Sequence, residues 1–210
     1  IRASSTSRGL GDVYQRQGFI AFTKGLRAFV YLKLLHPLDV FLTHTPWWYT
    51  MGVFTLIGYF AVGLRFAFTT ALLLLFIGAC GIWTQSMITL SSVLVSVTLC
   101  FAIGVPLGII ASYNERFRNV QNVILDAMQT LPYFCYLIPV LMFFGGGIVS
   151  AVLATVIYAI PPIIRLTSLG LTQVSGSYSE VSRSFGGTLL QTLKKIKFPL
   201  AVPSLVIGFN

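Results

Sequence analysis

Residues 87–112 read MITLSSVLVSVTLCFAIGVPLGIIAS, an unbroken apolar stretch without a charged side chain. A helix needs about 20 predominantly apolar residues to cross a bilayer, and this stretch is long enough. Strands of a membrane barrel alternate apolar and polar residues, whereas here the apolar residues run continuously. The stretch therefore predicts a membrane-spanning helix.

The composition of the whole chain points the same way. Of its 210 residues, 56% are hydrophobic and only 9% are charged, with a mean hydropathy of +0.85. A soluble domain carries about 25% charged residues. We therefore expect an all-α, polytopic transmembrane helical protein. The chain begins at Ile1 without a methionine and stops at Asn210 inside an apolar run, which predicts truncation, apparently at the C-terminal side.

The chain divides into four predicted regions. Residues 1–12 are rich in serine, arginine and glycine and are expected to be a disordered arm. Residues 13–46 mix basic with aromatic and aliphatic side chains, which predicts an amphipathic, interfacial segment. Residues 47–83 predict two N-terminal transmembrane helices, and residues 84–210 form the core. The predicted spans are 47–64, 66–83, 87–112, 123–144 and 148–169, with a further span starting at about 200.

Two local signals refine these regions. Pro37 disfavours helix at the residue before it and is expected to end the interfacial helix. Gly104 and Gly108 form a small-residue face on which another helix can approach closely, and Pro106 between them permits a kink. The three cysteines lie in apolar runs without metal or redox spacing, so we expect buried small hydrophobes at Cys80, Cys100 and Cys135.

The basic loops set the expected orientation. Short loops rich in lysine and arginine stay in the cytoplasm. If the five spans alternate in direction, three basic segments lie on the same side of the membrane: Arg65, the loop with Arg116 and Arg118, and the stretch 183–197. The N-terminal arm is then outside although it is also basic, a conflict in which three agreeing loops outweigh one arm.

Several functional classes lack the residues they need. The net charge of +9 is scattered over loops and flanks, so no basic face for nucleic acid is present in the sequence. Only five acidic residues occur, and no paired carboxylates, catalytic triad, zinc spacing or phosphate-binding glycine loop can be assembled. The sequence predicts no enzyme and no cofactor or metal site.

Residues 176–198 contain a polar, lysine-bearing element between two apolar regions. Its apolar positions fall at intervals of three and four, which predicts a helical stripe. Gly186 and Gly187 interrupt the stripe, so two short helices meeting at a bend are expected, the first capped by Ser177 or Ser179. Pro199 is expected to stop the second helix. Such an element either docks on a cytoplasmic partner or lies on lipid head groups.

This element resembles the EAA motif of ABC importer permeases. The matching residues are Glu180-Val181-Ser182, Gly186, Ile196 and Phe198-Pro199, with departures from the family's alanines at positions 181 and 182 and from its leucine at 198. The stretches at 125–145, 154–174 and 182–187 look like the membrane subunit of glycine betaine/proline-type importers, a group that includes choline and histidine systems. The resemblance is strong over about 84–210.

The resemblance implies a type I ABC importer permease fold in the cell inner membrane. It implies docking of an ATP-binding subunit, which would hold the ATP and magnesium, on Glu180, Val181, Ser182, Arg183, Ser184, Phe185, Gly186, Gly187, Ile196 and Pro199. A second permease copy and an extracytoplasmic substrate-binding protein complete the implied complex. A secondary transporter or channel subunit working without an ATPase is the alternative, and the particular osmolyte stays open.

A translocation path is the remaining candidate site. Intramembrane acids often mark pathways, and aromatic faces attract quaternary ammonium groups. The candidates are Asp126, Gln129, Tyr133, Phe134, Tyr136 and Tyr158. For each there is a packing alternative, and for Asp126 it is an ion pair with a nearby arginine such as Arg165.

Overall fold

The computed structural model describes residues 20–174, 178, 181–182 and 184–207. Within those residues every regular element is helical, so the predicted all-α class is confirmed there. We number the helices α1 (20–29), α2 (His36–His44), α3 (Trp47–Ala61), α4 (Leu64–Ala79), α5 (Trp83–Tyr113), α6 (Glu115–Thr130), α7 (Phe134–Phe144), α8 (Ile148–Gln173), α9 (Leu189–Thr192) and α10 (Phe198–Ile207). The predicted disordered arm, 1–12, lies outside the described residues.

The chain forms two compact units. The first comprises Ile1–Val95 and Leu141–Val152, and the second comprises Ser96–Val140 and Leu153–Asn210. The long helices α5 and α8 each contribute to both units.

In the first unit, the expected break at Pro37 is wrong. Helix α1 continues into α2 through a π-helical segment, Val30–Leu35, and His36 keeps helical backbone angles. The backbone N–H of His36 donates to the carbonyl of Tyr31, five residues back. A proline ring collides with the carbonyl four residues before it in a regular α-helix, and the wider π turn relieves that collision.

Helices α3 and α4 form a tight hairpin in the first unit. The turn between them uses Gly63, whose φ of +120° a residue with a side chain rarely adopts. A Cβ at Gly58 would lie 3.0 Å from the Phe66 ring, so a glycine there lets the two helices pack closely. Arg65 was expected between the two spans, but it lies in the first turn of α4 because the chain turns earlier, at this glycine.

Among the described residues, two single helices are long and apolar enough to cross a membrane, α5 and α8. Helices α3 and α4, with 15 and 16 residues, are shorter than the usual span, so the first two spans remain predictions. Helices α6 and α7, which cover the predicted span 123–144, are bent by 95° at a break and together are long and apolar enough for one broken span, so this span remains a prediction. Leu131 adopts an extended conformation before Pro132, the conformation that a following proline favours.

Candidate functional site

The polar element around Gly186 bends as the sequence predicts. Residues 181, 182 and 184 are helical, and Gly186 follows with φ of +75°. The N–H of Phe185 donates to the carbonyl of Val181 at 3.2 Å, and the N–H of Gly187 donates to that of Ser182 at 2.8 Å. The second bond spans five residues over a left-handed glycine, which is the Schellman ending of a helix.

The two glycines of this bend are needed for different reasons. Gly186 has open space around its missing Cβ, so only its backbone angle favours glycine. Gly187 has an ordinary φ, but a Cβ there would lie 2.5 Å from the Ser182 Oγ and 2.8 Å from the Ser182 carbonyl oxygen. The first glycine therefore permits the turn, and the second lets the chain fold back on the preceding helix.

The returning chain is fixed by a capping box that sequence reasoning missed. The N–H of Thr188 donates to the Gln191 side chain at 2.9 Å, and the N–H of Gln191 donates to the Thr188 Oγ1 at 3.3 Å. The pattern T-x-x-Q at 188–191 is the signal that predicts this box. Buried Thr192 then lies 2.7 Å from the Ser182 hydroxyl, which ties the two halves of the element together.

The predicted stop at Pro199 is wrong. A second π-helical segment, Leu193–Lys197, joins α9 to α10 without a break. The N–H of Phe198 donates to the carbonyl of Leu193, so the same wide turn precedes this proline. Within this segment the Lys197 ammonium lies 4.9 Å from the centre of the Tyr113 ring at the end of α5, a cation–π contact.

The tip of the element is strongly apolar and exposed. Phe185 is 87% exposed and Val181 is 54% exposed, whereas Ile196 is partly buried. Ser184 is exposed and Ser182 is partly buried. Four predicted residues lie outside the described part of the chain: Glu180, Arg183 and the expected caps Ser177 and Ser179.

The small-residue face of α5 lies against α8 in the second unit. A Cβ at Gly104 would be 2.8 Å from the Ile163 Cγ2, and one at Gly108 would be 2.5 Å from the Thr167 Cβ and 2.8 Å from a backbone carbonyl. Pro106 lies inside α5 between these glycines. Cys100 is buried on the same helix and contacts the Val156 carbonyl, at 3.7 Å.

The other two cysteines were predicted wrongly. Cys80 and Cys135 are exposed, because an apolar run in a membrane helix also faces outward, where lipid replaces protein.

The predicted path residues cluster around the break between α6 and α7. The rings of Tyr133 and Phe134 are 3.8 Å apart, and the ring of Tyr158 on α8 meets that of Tyr133 edge-on at 6.2 Å. The Tyr136 hydroxyl donates to the Met128 carbonyl across the break.

Asp126 forms an ion pair with Arg165, as the packing alternative for this carboxylate predicts. Its side chain is 66% exposed, so one face of the carboxylate stays open. Gln129, one turn further on, is exposed and lies in the last turn of α6.

An all-helical chain with bilayer-length helices and a bent, exposed polar element has the features of a membrane-embedded transport component. The chain belongs to the family of binding-protein-dependent transport system inner membrane components, whose pattern matches residues 104–209, half of the chain. Members of this family are transport components rather than enzymes, and the chain is a multi-pass membrane protein. Within the described ranges, no group of three or more His, Cys, Asp or Glu suits a metal ion.

Several characterised permeases resemble the chain. It is 46% identical over 158 residues to the glycine betaine/proline betaine transport system permease protein ProW of Escherichia coli, covering 75% of this chain and 45% of that protein. It is 37% identical over 196 residues to the glycine betaine transport system permease protein OpuAB of Bacillus subtilis, covering 92% and 64%. A trimethylamine N-oxide permease, TmoV of Ruegeria pomeroyi, is 33% identical over 190 residues, covering 90% and 29%. The chain thus spans about half the length of ProW and less than two thirds of OpuAB.

Proposed function

We propose that this chain is the membrane part of an ABC importer that brings glycine betaine/proline-type osmolytes into the cytoplasm. A separate subunit hydrolyses the ATP, an extracytoplasmic protein delivers the solute, and two permease copies form the pore. The names of the relatives above support the solute class, because betaines and trimethylamine N-oxide share a methylated, positively charged nitrogen.

The exposed Phe185 at the glycine bend carries the proposal. An aromatic side chain that is 87% exposed beside a rigid turn is suited to fill a groove on a partner. Its support is firm, since the capping box and the contact between Ser182 and Thr192 hold both halves of the element in place. The ATP-binding subunit is the partner that would use such an element to move the membrane helices.

Replacement of this aromatic tip tests the docking. Loss of a buried aromatic anchor typically costs about 2 kcal/mol or more, which is over tenfold in affinity. We expect Phe185→Ala to lower co-purification of the ATP-binding subunit and ATP-driven uptake of labelled glycine betaine at least tenfold. Phe22→Ala is the matched control, because Phe22 is 65% exposed but lies on α1.

Uptake of labelled betaine, proline and choline by the full operon identifies the solute. Wild-type uptake that needs no ATPase and follows an ion gradient would replace the proposal with a secondary transporter. Equal loss in both phenylalanine variants would show that exposed aromatic residues matter generally and would remove the support for docking at residue 185.

A further inference from the structure

We propose that the break between α6 and α7 holds a transient binding site for a methylated ammonium group on its way through the membrane. This inference rests on the proposed function and adds a location within the chain. Its walls are the rings of Tyr133, Phe134 and Tyr158, which all lie in the second unit.

The three rings contact one another and remain about half exposed. Tyr133 and Tyr158 meet at an interplanar angle of 65°, so their planes form a corner rather than a stack. The Phe134 ring lies over one face of the Tyr133 ring, with the ring centres 3.8 Å apart and a tilt of 34°. The three residues are 51%, 57% and 50% exposed, in the order Tyr133, Phe134, Tyr158. Two walls at a wide angle match the rounded, weakly hydrated shape of a trimethylammonium group, which binds aromatic faces by cation–π attraction.

The end of α6 adds negative potential beside the rings. Helix α6 ends at Thr130, directly before the break, and the carbonyl end of a helix carries about half a negative charge. The hydroxyl of Tyr136 and that of Thr130 each donate to a carbonyl in this last turn, which keeps the turn in place. The carboxylate of Asp126, which is 66% exposed and paired with Arg165, lies one turn earlier. Secondary transporters commonly place their solute sites at such interrupted helices, and we infer the same use here.

A second aromatic pair in the chain provides a comparison. Tyr59 and Phe60 on α3 meet edge-on at 5.5 Å with an interplanar angle of 68°, and Tyr59 is 48% exposed. This pair lies in the last turn of α3, which ends at Ala61, and no carboxylate is nearby in sequence. Ring contacts, exposure and a helix end therefore do not distinguish the two places, whereas the contact of the 95° break with a ring of α8 does.

The experiment measures binding to the full-length permease complex in lipid nanodiscs without the binding protein. Glycine betaine is the probe, and the reference is its analogue with a tert-butyl group in place of trimethylammonium, which keeps the carboxylate but lacks the positive charge. Saturation-transfer NMR reports the preference for glycine betaine over this reference. We expect Tyr158→Leu and Tyr133→Leu to reduce that preference about two- to tenfold, since cation–π attraction of this kind is of that order.

Two kinds of variant separate ring loss from misfolding. Tyr158→Phe and Tyr133→Phe keep the aromatic face and are expected to keep the preference, and Tyr59→Leu is expected to leave it unchanged. An unaltered preference in both leucine variants, or an equal loss in the phenylalanine variants, would overturn the site. Because binding is measured without ATP, a failure of ATPase docking leaves this result interpretable, and a failure here leaves the importer proposal standing.

Discussion

Three different physical requirements explain why particular positions in this chain are glycine. Gly186 needs a positive φ, Gly187 needs room for the Ser182 carbonyl, and Gly108 needs room for a neighbouring helix. From the sequence alone, a bend at 186–187 and a small-residue face on α5 were predictable because both use recognised glycine patterns. Which glycine tolerates a side chain was not predictable, since this depends on the atoms opposite it.

Substitutions at the glycines of α5 are predicted to destabilise the protein to different degrees. Gly108→Ala should destabilise the protein by about 1–3 kcal/mol, since its Cβ meets a backbone carbonyl that cannot move away, and Gly108→Leu should prevent folding or assembly. Gly104→Ala should cost less, because the three atoms nearest to its Cβ position all belong to side chains and the closest is 2.8 Å away. Gly52→Ala, a helical glycine with nothing within 4 Å, should be neutral or slightly stabilising.

Buried Cys100 provides the measurement for these variants. In a background with Cys80→Ser and Cys135→Ser, a thiol-reactive dye reports unfolding during heating in detergent. The melting temperature should be highest for Gly52→Ala, lower for Gly104→Ala and lowest for Gly108→Ala. Normal assembly of Gly108→Leu with an altered solute preference would contradict the packing role.

At the level of elements, the prolines explain where sequence prediction failed. Pro37 and Pro199 were expected to end helices, yet each follows a π-helical segment and lies inside a continuous helix. Pro132 instead coincides with a real break of 95°. The sequence rule that proline ends a helix cannot separate these cases, because a π turn upstream depends on the packing of the whole segment.

The polar element around Gly186 leads to a prediction about charge. Gly186→Asp should abolish ATP-driven uptake while the permease remains inserted and stable. The site has free space, and aspartate tolerates a left-handed conformation better than most residues, so the fold of this chain survives. A carboxylate buried unpaired against a partner costs several kcal/mol, which lowers ATPase binding by orders of magnitude.

The control for this variant is Gly186→Asn, which keeps the backbone preference and removes the charge. It should retain more ATPase binding than Gly186→Asp at matched membrane levels. Uptake is measured in vesicles that contain one variant or the other. Docking is measured by co-purification of the ATP-binding subunit. Retained docking and uptake in Gly186→Asp would identify the element as a helix on the lipid surface, which accepts one more charge with little effect.

At the scale of the whole molecule, one long-range contact bears on the position of the N-terminal segment. Arg27 on α1 donates to the carbonyl of Phe144 at 3.0 Å and to that of Gly146 at 3.4 Å. A guanidinium at the carbonyl end of α7 is favoured by the helix dipole. The contact lies within the first unit and places α1 beside the 145–147 turn. No sequence pattern predicts it, since 117 residues separate Arg27 from Phe144.

This contact bears on which side of the membrane α1 lies. The positive-inside rule assigns Arg65, Arg116 and Lys194 to the cytoplasm and therefore assigns Gly146 to the outside. Because Arg27 contacts the carbonyl of Gly146, we expect α1 to lie on the same side of the membrane as that turn, which is the outside, despite the charge of α1. Arg27 then has a structural role that the charge rule does not take into account.

Single cysteines in a cysteine-free background test this orientation in intact cells. An impermeant maleimide should label cysteines at positions 24, 84 and 146 from outside, and those at 65, 116 and 194 only after the membrane is opened. Position 24 is the informative one, since charge alone assigns it to the cytoplasm and the Arg27 contact assigns it to the outside. External labelling at position 116 would mean that the whole chain has the opposite orientation in the membrane. Protection at 24 with labelling at 146 would mean that Arg27 does not hold α1 at this turn in the membrane.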